Sequence, residues 1–215
     1  MSTTYEPTEK TRVRRRPDRG NYDREMAHKI IDKALVAHVA FVENGEPRVL
    51  PTTIVRIDED VYIHGSPNNH LLSALAAGAP ACIEMTLVDS IVAGRSGFGC
   101  SMDYRSVVIY GSAEQVTDPA EKERIIDALV QDIIPGHIVR RPKSKELAAT
   151  LVLRFPLSEV SAKVRDAGNI DVEEDYDLDL WAGVIPLGIA AEPGKGCPRL
   201  KSGIETPGYA LNYKR

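Results

Sequence analysis

The chain has few cysteines and few aromatic residues. Its 215 residues include 3 cysteines and 1 tryptophan, and aromatic residues make up 6% of the total. The cysteines, Cys82, Cys100 and Cys197, are an odd and widely spaced set, which is typical neither of a disulfide framework nor of a zinc site. We therefore expect thiols that stay reduced, as in the cytoplasm, and no metal site.

Long apolar runs and a strong positive charge are also missing. No stretch approaches the ~20 apolar residues that span a bilayer, and the N-terminus has no apolar signal core. The net charge of −4 and the pI near 5.8 give no electrostatic reason to expect nucleic acid. The composition predicts a cytoplasmic protein that binds neither nucleic acid nor a membrane.

What the chain does contain is enough apolar sequence, 43% of its residues, to bury a sizeable core. We divide it into an N-terminal basic arm (1–19), a core domain (20–190) and a Pro- and Gly-rich extended tail (191–215). The arm contains the run Arg12–Arg16 without aromatic residues to stack on bases. We expect it to be solvated and to pack across a neighbouring subunit rather than to bind nucleic acid.

The hydrophobic periodicity predicts about seven strands with helices between them. Helical patterns cover Asp23–Leu35 and Leu71–Ala77, and a third begins after Asp118-Pro119, a capping signal, and ends before Pro135-Gly136. A Gly-rich loop is expected over Asp89–Asp103, between two strands. Most strands are joined by hairpins, which favours a small antiparallel barrel, mainly β, with peripheral helices.

The stretch from Arg48 to Leu75 points most directly to a ligand. It predicts a strand, an acidic turn, a second strand that ends in Gly65-Ser66, and then a helix. A strand that enters a helix through Gly and Ser leaves backbone N–H groups free for an anion. Pro51-Thr52-Thr53 provides a position without an N–H donor beside two hydroxyls, which suits a flat polar ring. This stretch therefore predicts a site for a phosphorylated planar cofactor.

Six separated blocks resemble one family, and they run in its order from Arg14 to Leu187. They read RRRPDRGNYDREMAHKIID, AHVAFVENGEPRVLPT, DVYIHGS, GAPACIEMTLVDSIVAGRSGFGCSMDYRSVVIYG, KELAATLVLRFPLSEVSAKVR and DYDLDLWAGVIPL. The sequence resembles the FMN-binding split-barrel proteins related to pyridoxamine 5′-phosphate oxidase, and more closely the nitroimidazole-resistance reductase-like branch. The resemblance implies an antiparallel, Greek-key split barrel and a homodimer whose two FMN sites lie at the interface.

The resemblance also implies the cofactor-binding positions. One set runs along the flavin ring and the ribityl chain: Arg48, Val49, Leu50, Pro51, Thr52 and Thr53. A second set takes the phosphate: His64, Ser66, Asn69 and His70. A third set approaches the flavin across the cleft: Ser101, Tyr104, Arg105, Ser106 and, at the start of the last strand, Trp181. The sequence departs from the common family pattern at Asn69-His70, at Gly99-Cys100 and at Asp103.

The function that this resemblance implies is an FMN-dependent oxidoreductase acting on a small redox substrate, such as a nitro-aromatic compound or a quinone. His64 and Tyr104 are the candidate proton donors. The alternative is a binding protein without turnover that holds flavin or haem. For haem, His38, His64, His70 and His137 are each able to supply an axial imidazole.

Overall fold

The structure is a computed structural model, and it describes residues 2–214. Within this part of the chain, five α-helices accompany eleven strands. The strands are β1 (Gly20–Asn21), β2 (Ala37–Glu43), β3 (Glu46–Thr52), β4 (Val55–Ile57), β5 (Asp60–Gly65), β6 (Ala81–Ala93), β7 (Ser101–Gly111), β8 (Glu114–Val116), β9 (Leu151–Pro156), β10 (Glu159–Arg165) and β11 (Gly183–Pro186). The helices are α1 (Arg24–Lys33), α2 (His70–Ala76), α3 (Pro119–Ile133), α4 (Ser144–Ala148) and α5 (Gly208–Leu211).

The strands form two antiparallel sheets. The larger has the order β1-β10-β7-β6-β2-β3, with β11 paired to the distal half of β6, and the smaller has the order β4-β5-β9-β8. Alternate residues of the larger sheet, among them Ile83 and Ile109, pack against Ile63 and Leu153 of the smaller one. The predicted mainly β fold with peripheral helices is confirmed, although the ladders of residues 2–214 form two sheets and no single closed ring.

Both faces of the smaller sheet are covered. One face contributes to the main core, and the other packs Tyr62 and Val152 against Ile125 and Leu129 of α3. A strand buried on both faces reads as a continuous apolar run, as Leu151-Val-Leu153 does in β9. This arrangement fixes the position of β5, whose end leads into α2.

The helix starts follow the predicted capping residues. Asp23 accepts a hydrogen bond from the backbone N–H of Met26 (2.8 Å), and Asp118 accepts one from Glu121 (2.9 Å) in front of Pro119. These side chains satisfy backbone donors that the first turn leaves unpaired. The predictions of α1 and α3 are confirmed to within about two residues at each end.

The N-terminal segment packs on its own chain. The phenol of Tyr5 is buried, with 2% of the residue exposed, and the backbone N–H of Tyr5 donates to Tyr22 O (2.8 Å). Thr11 is buried as well, and Thr8 donates to Glu159 at the start of β10. The segment described from Ser2 onwards is thus anchored to the barrel instead of extending as a solvated arm. The arginines at its surface remain exposed. The predicted boundary at residue 1 lies outside the described residues.

The expected loop over Asp89–Asp103 is much shorter in the structure. Strand β6 continues to Ala93 and β7 begins at Ser101, so the connection is limited to residues 94–100. The register shifts between Val88 and Ser90, which makes Asp89 the extra residue of a β-bulge. A bulge interrupts the alternation of apolar and polar residues, and this hid the second half of β6 from the sequence pattern.

The C-terminal tail, predicted as residues 191–215, is largely extended and exposed. It contains only the single turn of α5 and is held against the end of α3, where Tyr213 donates to Ile133 O (2.8 Å). Arg215 lies outside the described residues. None of the helices found in residues 2–214 has the length and apolar character that a membrane crossing demands.

Candidate functional site

The end of the β2–β3 hairpin lies next to the start of α2. The ring of His70 is 6.3 Å from the ring of Phe41, and Phe41 pairs with Arg48 across the hairpin. His70 Nε2 also lies 2.8 Å from Glu43 Oε2. The structure therefore brings the first predicted set, Arg48–Thr53, and the Ser66–His70 part of the second set to one edge of the molecule. We refer to this region as the hairpin site.

Strand β3 forms the open wall of the hairpin site. It is the last strand of the larger sheet, so one of its backbone edges has no strand partner. Val49 and Leu50 are 58% and 38% exposed, and Pro51 lacks an N–H donor. An apolar, accessible strand beside Thr52 and Thr53 fits one face of a flat ring such as a flavin.

The start of α2 is less open than the sequence indicated. Ser66 Oγ accepts from the backbone N–H of Asn68 (3.2 Å), and Asn69 Oδ1 accepts from that of Leu72 (3.2 Å) as the N-cap. Both oxygens therefore stabilise their own turn and are not free for a ligand. What remains for a phosphate is the Ser66 hydroxyl proton, the Asn69 amide N–H groups and the other backbone N–H groups at the start of α2.

The cationic side chains of the predicted site already have carboxylate partners. Arg48 Nη2 donates to Glu46 (2.9 Å), and His70 lies against Glu43, as described above. In the third set, Arg105 makes a bidentate contact with Asp89, the bulge residue, at 2.6 and 2.8 Å. Pairing offsets the two arginine charges, so Arg48 and Arg105 each offer a phosphate or a reduced flavin less than a free cation does.

His64 lies on a different surface from the ring wall. Alternation along β5 places it on the same face as Tyr62, which packs under α3. Its Nδ1 is buried without a hydrogen-bond partner, and burial lowers the pKa of the imidazole. His64 is thus a neutral, largely enclosed base at pH 7, and this geometry favours it less as a proton donor to a bound substrate.

The third predicted set is not brought to the hairpin site within one chain. Ser101, Tyr104, Arg105 and Ser106 lie on β7, which β2 and β6 separate from β3. Three inter-strand steps amount to about 14 Å. Trp181 is exposed just before β11, where its ring covers Gly183. These residues can meet the hairpin site only if a second copy supplies them.

Two contacts at these sites were missed from the sequence because their partners are remote. Glu43 and His70 are 27 residues apart, and Asp103 and Arg165 are 62 apart. Asp103, noted only as a departure from the family pattern, is buried by this ion pair and by Ser90 Oγ, which donates to it (2.9 Å). No local motif predicts such pairs.

Comparison with known proteins decides the family. The sequence model described as pyridoxamine 5′-phosphate oxidase matches residues 23–164. The chain belongs to this family. No curated protein matches it. The predicted recognition is confirmed.

Solved structures of the pyridoxamine 5′-phosphate oxidase family include similar proteins over nearly the whole chain. The flavocytochrome Anf3 from Azotobacter vinelandii is 35% identical, with a TM-score of 0.89 over 96% of this chain and 97% of its own. The FAD- and haem-binding protein from Mycobacterium smegmatis is 33% identical, with a TM-score of 0.84 over 89% and 95%.

A protein from Bacteroides thetaiotaomicron assigned to 5-nitroimidazole antibiotic resistance is also similar. It is 20% identical, with a TM-score of 0.59 over 67% of this chain and 86% of its own. At this identity the similarity shows the fold alone.

Proposed function

We propose that this member of the family is a redox protein that binds both a flavin and a haem in a two-fold dimer. The observation that carries the proposal is the similarity, at 33–35% identity over most of the chain, to a flavocytochrome and to an FAD- and haem-binding protein. On the sequence alone, we considered flavin and haem as alternative cofactors. These relatives have both, which favours one protein with two cofactors.

The hairpin site is the proposed flavin site. The side chain of Leu50 offers apolar surface to one face of the ring, whereas Val49 points to the opposite face of β3. Thr52 and Thr53 offer hydroxyls at the edge of the ring. Ser66, Asn69 and the backbone N–H groups at the start of α2 are the donors nearest to a phosphate. When bound, a flavin exchanges electrons in steps of one or two and a haem one at a time. We propose FAD rather than FMN, since the Mycobacterium smegmatis relative is named as an FAD-binding protein.

The second copy completes this site in our proposal. On the outer face of the larger sheet, cross-strand pairs align Val49, Ala40, Cys82 and Tyr110 in one row across four strands. Flat faces with exposed apolar neighbours such as Val49 are rarely left uncovered in monomers. A two-fold contact on this face brings the β7 set of one subunit towards the hairpin site of the other. Tyr104, half-buried on β7, is then the proton donor that we favour.

Cofactor analysis of the purified protein tests the proposal. The protein is expressed with a haem supply, and its absorption spectrum is recorded before and after reduction by dithionite. We expect a Soret band together with the two-band flavin spectrum. Chromatography of the released cofactor separates FAD from FMN. A protein that binds neither cofactor, even after reconstitution with both, would overturn the proposal, and one that binds flavin alone would remove the haem part.

A nicotinamide donor then tests for turnover. Under anaerobic conditions, NADH or NADPH should reduce the flavin and then the haem, followed as the ordered loss of flavin absorbance and shift of the Soret band. Flavin reduction without haem reduction would contradict electron transfer between the two cofactors. Omitting the donor provides the control.

A further inference from the structure

The loop after α3 holds one histidine in a defined orientation. His137 N donates to Ile134 O (3.0 Å), and the side chain of Gln131 spans the loop, accepting from Gly136 N (3.1 Å) and donating to His137 O (2.8 Å). Three hydrogen bonds thus fix the backbone on both sides of the imidazole. The orientation of His137 is consequently set by the loop and not by solvent.

The ring of His137 is held at one nitrogen and open at the other. Nδ1 lies 2.6 Å from Tyr209 Oη, and the two rings meet edge to face with centroids 5.5 Å apart. Nε2 has no hydrogen-bond partner among residues 2–214. A histidine that binds a metal usually donates its other ring N–H to an acceptor, which fixes the tautomer and the ring plane. His137 and Tyr209 have this arrangement.

The other histidines of the described chain lack it. His28 and His70 have Nε2 engaged by side chains of their own surroundings, at 3.1 and 2.8 Å. His64 has a buried Nδ1 without any acceptor. His38 has its Nδ1 3.6 Å from Glu84, which is longer than a hydrogen bond. Only His137 combines an oriented Nδ1 with an open Nε2.

The surroundings of His137 suit an apolar macrocycle. The next two side chains, Ile138 and Val139, are 90% and 47% exposed, and Leu211, two residues after Tyr209, is exposed as well. Large apolar side chains that are open to solvent are typical of a surface that a ligand or partner covers, and these lie close in sequence to the oriented imidazole or to its partner. A haem offers two apolar faces and needs such side chains on either side of its axial ligand.

Most of the C-terminal segment in which Tyr209 lies has a counterpart in the flavocytochrome. The family match ends at residue 164, whereas the match to the Azotobacter vinelandii protein covers 96% of the 215 residues and leaves about nine unmatched. Most of the 51 residues from 165 to 215 therefore have a counterpart in that protein. The nitroimidazole-resistance relative is matched over only 67% of this chain.

We propose that Nε2 of His137 is a protein ligand of the haem iron, and that Tyr209 is a positioning residue that accepts the Nδ1–H of His137. The role of the C-terminal tail is then to supply the acceptor that orients the axial imidazole. The inference rests on the proposed function, because it requires that the protein binds haem.

Removal of the imidazole gives the first test. His137→Gly is compared with wild type and with two control variants, His38→Gly and His28→Gln, after expression with a haem supply. We expect His137→Gly to lose at least about tenfold in haem affinity, or to change its Soret band and electron paramagnetic resonance signal. Free imidazole added to His137→Gly should restore the wild-type spectrum. The control variants should keep the wild-type spectrum, and retained flavin and an unchanged circular dichroism spectrum show that each variant is folded.

The acceptor gives a second test that leaves the ligand in place. In Tyr209→Phe, Nδ1 loses its acceptor, the imidazole becomes a poorer electron donor, and the haem reduction potential should rise. Tyr213→Phe is the matched control, because Tyr213 bonds Ile133 O and has no contact with His137. This comparison remains decisive even if His137→Gly does not fold.

The outcomes separate this inference from the proposed function. A wild-type protein without haem overturns the function itself. A wild-type protein with haem whose spectrum survives His137→Gly, or is lost in His38→Gly or His28→Gln instead, overturns only the assignment of His137. Equal reduction potentials in Tyr209→Phe, Tyr213→Phe and wild type overturn the role of Tyr209.

Discussion

Arg165 and Asp103 form an ion pair whose side chains are only 6% and 7% exposed. Asp103 also accepts from Ser90 Oγ and from Ala167 N, while Arg165 donates to Gly168 O (2.9 Å). Burial by itself acts to raise the pKa of Asp103, but these hydrogen bonds and the Arg165 charge outweigh it and lower the pKa. The pair joins the start of β7 to the end of β10 and to the segment that follows.

Breaking this pair should cost far more than replacing it. Arg165→Met leaves the Asp103 carboxylate buried without its cation, and we expect a loss of about 3–5 kcal/mol in the free energy of unfolding. The double variant Arg165→Met/Asp103→Leu removes both charges and should recover much of that loss. Urea unfolding of wild type, of the single variants Arg165→Met and Asp103→Leu, and of the double variant measures this. Two losses that simply add would show that the residues do not act as a pair.

Two half-buried histidines, His28 and His64, should make stability fall on mild acidification. His28, whose Nε2 lies 3.1 Å from Tyr5 Oη, has a lowered pKa, mainly through burial and then through the charge of Arg56. A base with a lowered pKa binds protons less readily in the folded state than in the unfolded state. Its contribution to the free energy of unfolding is therefore present above the unfolded pKa of about 6.5 and is lost as the pH falls below that value.

Urea midpoints at pH 7.5 and pH 5.5 check this dependence. The wild type should have the lower midpoint at pH 5.5, and His28→Gln should reduce the difference. His64, whose pKa burial also lowers, accounts for the part that remains. If His28→Gln keeps the whole difference between the two pH values, His28 does not contribute to it.

The loop between β6 and β7 should tolerate alanine at one glycine and not at another. A Cβ on Gly99 would lie 2.2 Å from Oδ1 of Asp171, a carboxylate that Arg95 holds through its backbone N–H (3.1 Å) and its guanidinium. We expect Gly99→Ala to cost about 1–3 kcal/mol and to expose the loop to hydrogen exchange. A Cβ on Gly97 meets nothing within 4 Å, so Gly97→Ala is the matched control. Similar exchange rates in both variants would contradict the clash.

The carboxylate beside His70 should weaken flavin binding. Glu43 lies 2.8 Å from the His70 imidazole. If the phosphate lies at the start of α2, as proposed, the negative charge of Glu43 repels the negative charge of the phosphate. Glu43→Gln should then tighten flavin binding about two- to tenfold, which corresponds to about 1 kcal/mol. Fluorescence titration of the apoprotein measures it, with Glu114→Gln on the smaller sheet as the control. Unchanged or weaker binding would place the phosphate elsewhere.

A charge in the proposed interface should separate the subunits. Ala40 lies on the outer face of β2 between Val49 and Cys82, its partners on β3 and β6. In Ala40→Lys, an unpaired ammonium is buried at the two-fold contact, and we expect the dimer to dissociate at least about a hundredfold more readily. Sedimentation velocity at micromolar concentration compares it with Ser158→Lys, at the β9–β10 turn. A monomeric wild type would contradict both the proposed dimer and the proposed shared flavin site.

The sequence by itself determined the local elements and the family. Asp23 and Asp118 cap their helices as predicted because a cap depends on a backbone N–H only three residues away. The apolar alternation of the strands likewise depends on neighbours along the chain and on burial of one face. Blocks of family sequence spread over most of the chain added the split-barrel fold, which local patterns indicated only as an antiparallel barrel.

Tertiary structure alone decided which side chains meet. The bulge at Asp89 arises from the register of β6 against β7. The two strands continue to pair beyond it, and Asp89 accepts from Arg105. His137 meets Tyr209 across 72 residues, and no spacing rule connects the two. Such contacts depend on how remote segments pack once the core has formed. The sequence determined which groups are available for binding and proton transfer, and the packing decided which of them are paired, buried or left open.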